Sequence, residues 1–184
     1  MRAAGLNRAP AEEAAAGKVN EMKIDVNYVG LVDKGNYWEY VGNLKSDGDL
    51  IIELKKPLRV RGNIHAGGGI EVGGGIKVGG WIKAGGWIEV GGGIEAGRWI
   101  KAGVWIRAVG GIKAGGGIKA GGWIRAVGGI KSSGGIKAGG GIRADFGIEA
   151  VGLIKASGEI KAGGGIKAGG WIEAGDGINC GRRD

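Results

Sequence analysis

The sequence predicts an all-β chain: a β-solenoid of hexapeptide repeats, about three hexads to a coil, with a small N-terminal β-hairpin cap. Three observations predict it. An aliphatic residue returns every six positions, from Ile52, Leu58, Ile64 and Ile70 to Ile166, Ile172 and Ile178. A charged or polar residue follows each of these, and a second apolar or small residue, mostly Ala, comes next, as in Gly79-Gly80-Trp81-Ile82-Lys83-Ala84. Finally, variations within the unit recur at eighteen residues: Trp87, Trp105 and Trp123; Trp81 and Trp99; Val109 and Val127; and the lysines 83, 101, 119, 137 and 155.

Within one unit the alternation has period two. Ile82 and Ala84 share one face of a strand, and Trp81 and Lys83 share the other. An amphipathic helix would need apolar residues at three- and four-residue steps and could not carry this much glycine. Each unit is therefore a short strand followed by a glycine corner, where the missing Cβ widens the accessible backbone angles. Collagen is excluded, because its glycine recurs every third residue among abundant prolines, and this chain has two prolines. Short strands with one apolar face cannot bury it alone, but stacked coils can. A two-faced coil would align Lys77, Glu89 and Lys101, whereas the three-faced coil keeps the lysines together. Seven coils or so, at about 4.8 Å each, make a rod on the order of 35 Å long. No insertion is expected to break the six-residue count.

In chain order, residues 1–21 read as a flexible Ala-rich leader, with Pro10 opening a run suited to a short helical turn. Residues 22–49 read as the cap. Met22, Ile24, Val26 and Tyr28 alternate with polar residues and predict a strand. Asp33-Lys34-Gly35-Asn36 predicts a turn, and the aromatic run from Tyr37 to Val41 predicts a second strand, paired with the first as a hairpin. Ser46-Asp47-Gly48-Asp49 predicts another turn. Residues 50–184 form the repeat domain. Its far end carries no cap segment, and Arg182 and Arg183 are expected either to blunt it or to leave it open for association. Ser132-Ser133, Asp145-Phe146, Ser157-Gly158-Glu159 and Asp176 fall where corners are expected.

The chain of 184 residues has 47 glycines, no Thr and no Gln, and a net charge of +8. That charge permits an anionic partner and disfavours an acidic mimic of DNA. One cysteine, Cys180, allows no disulfide framework, and the N-terminus lacks a hydrophobic signal core, so a cytoplasmic location is expected. No apolar run approaches a transmembrane span. Cys180 takes the Ala slot of the last unit and reads as a small buried residue. The sole histidine, His65, sits at an outward repeat position with no triad partner or ligand cluster beside it. The many matches to G-x-G-x-x-G follow no βαβ unit and carry no phosphate-loop meaning. No catalytic residue, metal ligand, cofactor or small-molecule substrate is expected, and the chain reads as a non-enzyme.

The outer faces hold the candidate binding residues. One face carries the lysine ladder Lys83, Lys101, Lys119 and Lys137 beside Trp81 and Trp99. The next carries Trp87, Trp105 and Trp123 with Arg107, Arg125 and Arg143. The third carries no Trp and mixes Lys77, Glu95, Lys113, Lys131, Glu149 and Lys167. Rows of tryptophan and like charge fit two readings: an aromatic and cationic surface for a partner, or indoles that shield flat β surface while the charges keep the rod soluble. An ice-binding face would call for regular threonine rows.

The stretch Val60-Arg61-Gly62-Asn63-Ile64-His65-Ala66-Gly67-Gly68-Gly69-Ile70-Glu71-Val72 resembles the repeat core of the bactofilins, bacterial polymer-forming cytoskeletal proteins. The likeness covers the repeat region and not residues 1–49. It implies a β-helix that polymerises end to end without nucleotide and scaffolds other proteins, sometimes at membranes. The near-perfect Gly-Gly hexads and the tryptophans depart from that family. The hexapeptide acyltransferases match poorly: their small residue follows the aliphatic one by four positions, whereas Ala84 follows Ile82 by two.

Three functions are expected from these features. The first is a structural or scaffolding protein acting by self-association or by binding a protein partner. The second is a small phage or mobile-element inhibitor that blocks a host defence complex, in the manner of an anti-CRISPR protein. The third is binding of nucleic acid or an anionic polymer through the Trp, Lys and Arg faces.

Overall fold

The computed structural model describes residues 20–181. The Ala-rich leader up to Val19 and the arginines 182 and 183 lie outside them. The fold is all-β, a solenoid of about eight turns. The first strands are β1 (Met22–Ile24), β2 (Leu31–Asp33), β3 (Trp38–Tyr40), β4 (Leu44–Ser46), β5 (Leu50–Ile52) and β6 (Leu58–Val60). From Ile64–Ala66 a three-residue strand then recurs every six residues to Ile178–Cys180. The strands form three sheets of nine, eight and nine members.

Pairing is parallel and in register at eighteen residues throughout the regular part. Ile82 meets Ile64 and Ile100, and Lys83 meets His65 and Lys101. Coils are stitched at the corners as well as along the strands. Gly85 N–H donates to the Ala66 carbonyl at 3.0 Å, Gly86 N–H to Gly68 at 2.9 Å and Ile88 N–H to Trp105 at 2.9 Å. The corner backbone thus has partners in the neighbouring coils, as an irregular segment against a core requires.

The core is the axis of the rod. The Ile of each coil stacks on the Ile of the next, and Ala lies between them, from Leu44 to Ala162. Each buried isoleucine contributes about 1.5–3 kcal/mol. Among the buried inward Ala positions serine takes two, Ser46 near the start and, deeper in the rod, Ser132. It closes the strand Ile130–Ser132 rather than sitting in a corner as expected. Its hydroxyl donates to the Gly116 carbonyl at 2.6 Å and accepts from Gly134 N–H at 3.2 Å, so burial leaves it satisfied.

The N-terminal region departs from expectation in three ways. The hairpin does not join the Met22 strand to the Trp38 strand. β2 pairs antiparallel with β3, while β1 pairs parallel with β5 as the first member of a solenoid sheet. The Met22 strand ends early because Asp25 makes a local turn: its carboxylate accepts from Asn27 N–H at 2.8 Å and its carbonyl from Tyr28 N–H at 3.1 Å. Val26 is therefore 57% exposed.

Second, the solenoid sheets run through Asp49 without a break. β3 and β4 pair in parallel with β6 and with Ile64–Ala66. Ser46 belongs to β4 and is buried, so the turn begins after it. Third, the count is interrupted once. Leu50, not Ile52, is in register with Ile70, and Ile52 takes the second inward position opposite Val72. The corner Glu53–Pro57 has five residues where later corners have three. Its extra length turns Leu54 inward, where it is fully buried.

Met22, Tyr28, Leu31, Trp38 and Tyr40 pack against the first coils. Glu39, the buried central residue of the hairpin strand β3, accepts from Arg61 Nε and Nη2, both at 2.7 Å. Burial, with the neighbouring Tyr40 adding to it, holds the Tyr28 phenol above its usual range.

Candidate binding faces

Every outward side chain of a strand stands directly above its counterpart in the next coil, at the strand spacing of about 4.8 Å. The sequence thus determines which charges become neighbours. On the eight-stranded sheet Lys83, Lys101, Lys119, Lys137 and Lys155 form one continuous column. Lys155 is neutralised by Glu173, with Nζ 2.7 and 2.9 Å from the two carboxylate oxygens. Lys83, Lys101, Lys119 and Lys137 form no ion pair among the described residues. His65 continues the column, in register between Lys45 and Lys83. Its imidazole meets the Trp81 ring edge-on at 6.2 Å.

The mixed face behaves differently. Lys77 pairs with Glu95 at 3.1 Å, Lys113 reaches the other Glu95 oxygen at 3.8 Å, and Lys131 pairs with Glu149 at 3.1 Å. Where the sign changes at eighteen residues a lysine finds a carboxylate in the coil above or below; Lys113 and Lys131, themselves neighbours, each turn to the glutamate on the other side. The lysine column instead stacks like charges from Lys83 to Lys137 with no carboxylate between them. Like charges directly opposite across strands are destabilising.

The tryptophans precede their strands and lie in the corner columns. They do not stand out as separate rings. Trp81 stacks on Trp99 with centroids 4.9 Å apart and planes 3° from parallel. Trp87, Trp105 and Trp123 form a three-ring stack, with spacings of 5.4 and 4.9 Å. All but Trp123 are half-buried, because each indole covers its neighbour. The column starts over Gly69, where a Cβ would run into the Trp87 indole, so only glycine fits beneath the first ring. Part of the expected exposed aromatic surface is thus consumed by the stacks themselves.

Beside the three-ring stack run Arg107, Arg125 and Arg143 in register. Arg107 bonds Glu89 at 3.2 Å, and Arg143 lies 3.9 Å from Asp145. Arg125 forms no ion pair among the described residues.

One feature escaped sequence reasoning. At the third corner the place of the tryptophans is held by Gly75, Gly93, Gly111, Gly129, Gly147 and Gly165. With no side chains there, a groove of about 970 Å³ runs over these corners, alongside the Lys and Glu column of the mixed face. The signal was present in the sequence, as glycine at every eighteenth position before these strands.

Cys180 is exposed, not buried, and Ile178 is 51% exposed. Both occupy the last described coil, with no described coil beyond them to cover their inner face. Among the described residues no group of three or more His, Cys, Asp or Glu converges as a metal site would, and no helix is long and apolar enough to cross a membrane. Comparison with known proteins finds no matching family model, no matching curated protein and no matching solved structure.

Proposed function

We propose that this chain is a non-enzymatic scaffold, a stiff β-solenoid that holds an acidic protein partner along its lysine face in the cytoplasm. The observation that carries this reading is the unpaired column Lys83, Lys101, Lys119 and Lys137. Its self-repulsion is relieved when carboxylates of a partner lie against it, so binding and stability are linked. The regular spacing favours a partner with acidic groups along an edge or strand, since such a partner meets several lysines at once. The bactofilin-like repeat supports the same class of function, with self-association as its other route.

A second reading, binding of a nucleic acid or another anionic polymer, is favoured by the arginine column beside the Trp87–Trp105–Trp123 stack. Stacking surfaces and cations together suit single strands.

Two measurements test the proposal. Light scattering across a concentration series, with the same samples viewed by negative stain, separates a fixed species from growing rods. Titration with fluorescently labelled polyglutamate at several salt concentrations then reads the lysine face. Saturable binding that weakens as salt rises is expected, and absence of binding at low salt overturns the proposal.

A further inference from the structure

The Trp87–Trp105–Trp123 stack ends abruptly. One coil beyond Trp123, the same corner position is Gly141, and the coil after that brings Glu159. The result is a cleft of about 220 Å³ lined by Trp123, Gly141, Arg125, Arg143, Lys161 and Glu159. Trp123 is the exposed member of the stack, at 38%, while Trp105 is sandwiched between two rings. The coils keep their register through this region, with Arg125 opposite Arg143 and Arg143 opposite Lys161. A vacant ring position therefore follows the third indole, at the same step that spaces the other rings.

We propose that this cleft binds a planar aromatic base carrying a phosphate, with the base stacked on Trp123 as the fourth ring of the column. Each part of the cleft answers to part of that ligand. The indole face supplies a stacking surface that accepts any base. Gly141 leaves the ring position free. Arg125, Arg143 and Lys161 stand in one column beside it. Arg125 lacks a carboxylate among the described residues, and guanidinium groups suit phosphate oxygens as paired donors. Glu159, at the far side, forms no ion pair among the described residues. An ionised carboxylate only accepts hydrogen bonds, so it favours a base with amino groups at its edge, such as adenine or cytosine, over uracil or thymine. The bridging Arg143–Asp145 contact of 3.9 Å is long enough to yield to a phosphate.

The inference deepens the second reading of the function and does not involve the lysine face, so either can fail alone. The test is tryptophan fluorescence during titration with AMP and, separately, with a short single-stranded oligo-dA. The full chain is expected to show saturable quenching with one of these probes, a weaker response to adenosine, and none to inorganic phosphate. Saturation with AMP assigns the site to free nucleotides; saturation with oligo-dA alone assigns it to a strand. In Gly141→Trp a fourth indole fills the vacancy, in the register where Trp87, Trp105 and Trp123 already sit. Binding should fall by about 5- to 160-fold, the loss of one stacked base. A Cβ at Gly141 would come 2.9 Å from the Glu159 carbonyl, so the coil must shift to take it; Trp123→Ala therefore tests the same point by removing the stacking surface without filling the corner. UMP in place of AMP should bind several-fold more weakly, and Glu159→Gln should narrow that gap. No quenching by either nucleotide probe overturns the proposal, and so does equal binding in the parent and in Trp123→Ala or a folded Gly141→Trp.

Discussion

Trp105 and Trp123 lie eighteen residues apart in sequence, and their rings stack with centroids 4.9 Å apart and planes 4° from parallel. The contact ties the repeat period directly to the geometry of the coil. It also sets what substitution at Trp105 should do. Trp105 touches a ring on each side, so Trp105→Ala removes two aromatic pairs and should cost about 1–3 kcal/mol. Urea denaturation measures the loss, and the exciton signal of coupled indoles in circular dichroism should collapse with it. An unchanged midpoint would mean that the stack adds nothing to stability.

Ile118 is fully buried between Ile100 and Ile136. Ile118→Asp places a carboxylate on the axis, where no counter-charge can reach it. A cost above about 4 kcal/mol is expected for a buried unpaired charge. Thermal melting by circular dichroism checks this, and a parent-like melt would refute the inward placement of the isoleucines.

Much of this was legible in the sequence because a strict period fixes neighbours as well as strands. The three faces, the lysine column and the mixture of signs on the third face follow from eighteen-residue spacing alone. The irregular N-terminal part was harder to read. The alternation from Met22 to Tyr28 suggested one strand, but the side chain of Asp25 captures the backbone two residues on and stops it. Ile52 fitted the six-residue count by coincidence, since the longer corner with buried Leu54 shifts the frame at Leu50. Cys180 was read from its slot in the repeat, and a slot predicts burial only where a further coil covers it.

Ser132 replaces the usual Ala on the axis. Removing its hydroxyl leaves the Gly116 carbonyl with a second donor, Gly134 N–H at 3.0 Å. Ser132→Ala should therefore change stability by less than about 1 kcal/mol, in contrast to the loss expected when a buried acceptor is orphaned. Urea denaturation against the parent decides between these.

Asp33 ties the hairpin to the first long corner. Its carboxylate accepts from Lys56 Nζ at 2.9 and 3.1 Å and from Gly35 N–H at 2.8 Å. The Lys56 bond, followed by the Gly35 bond, holds the carboxyl below the ordinary aspartate range. A lowered value in the folded state means that the tie is intact above the unfolded value and is lost as pH falls through the folded one. The carboxyl carbon shift of Asp33 in an NMR titration should show the depressed midpoint, and Lys56→Ala should raise it. A midpoint unmoved by that substitution would remove Lys56 as the cause.

Lys119 sits between Lys101 and Lys137 in the unpaired column. Lys119→Glu should stabilise the rod by about 0.5 kcal/mol at low salt, since the pairs are exposed and screened. It should weaken binding to an acidic partner at the same time. Opposite signs for stability and binding are the signature of a charge column held for a partner.

The most direct measurement compares two variants of equal net charge, one with Lys101, Lys119 and Lys137 changed to Gln and one with Lys77, Lys113 and Lys131 changed to Gln. Both are titrated with labelled polyglutamate at the same ionic strength. The proposed role of the lysine face predicts that the first loses most of its affinity and the second keeps nearly all of it. Equal losses in the two would show that net charge alone governs binding, and would contradict a partner surface built from that column.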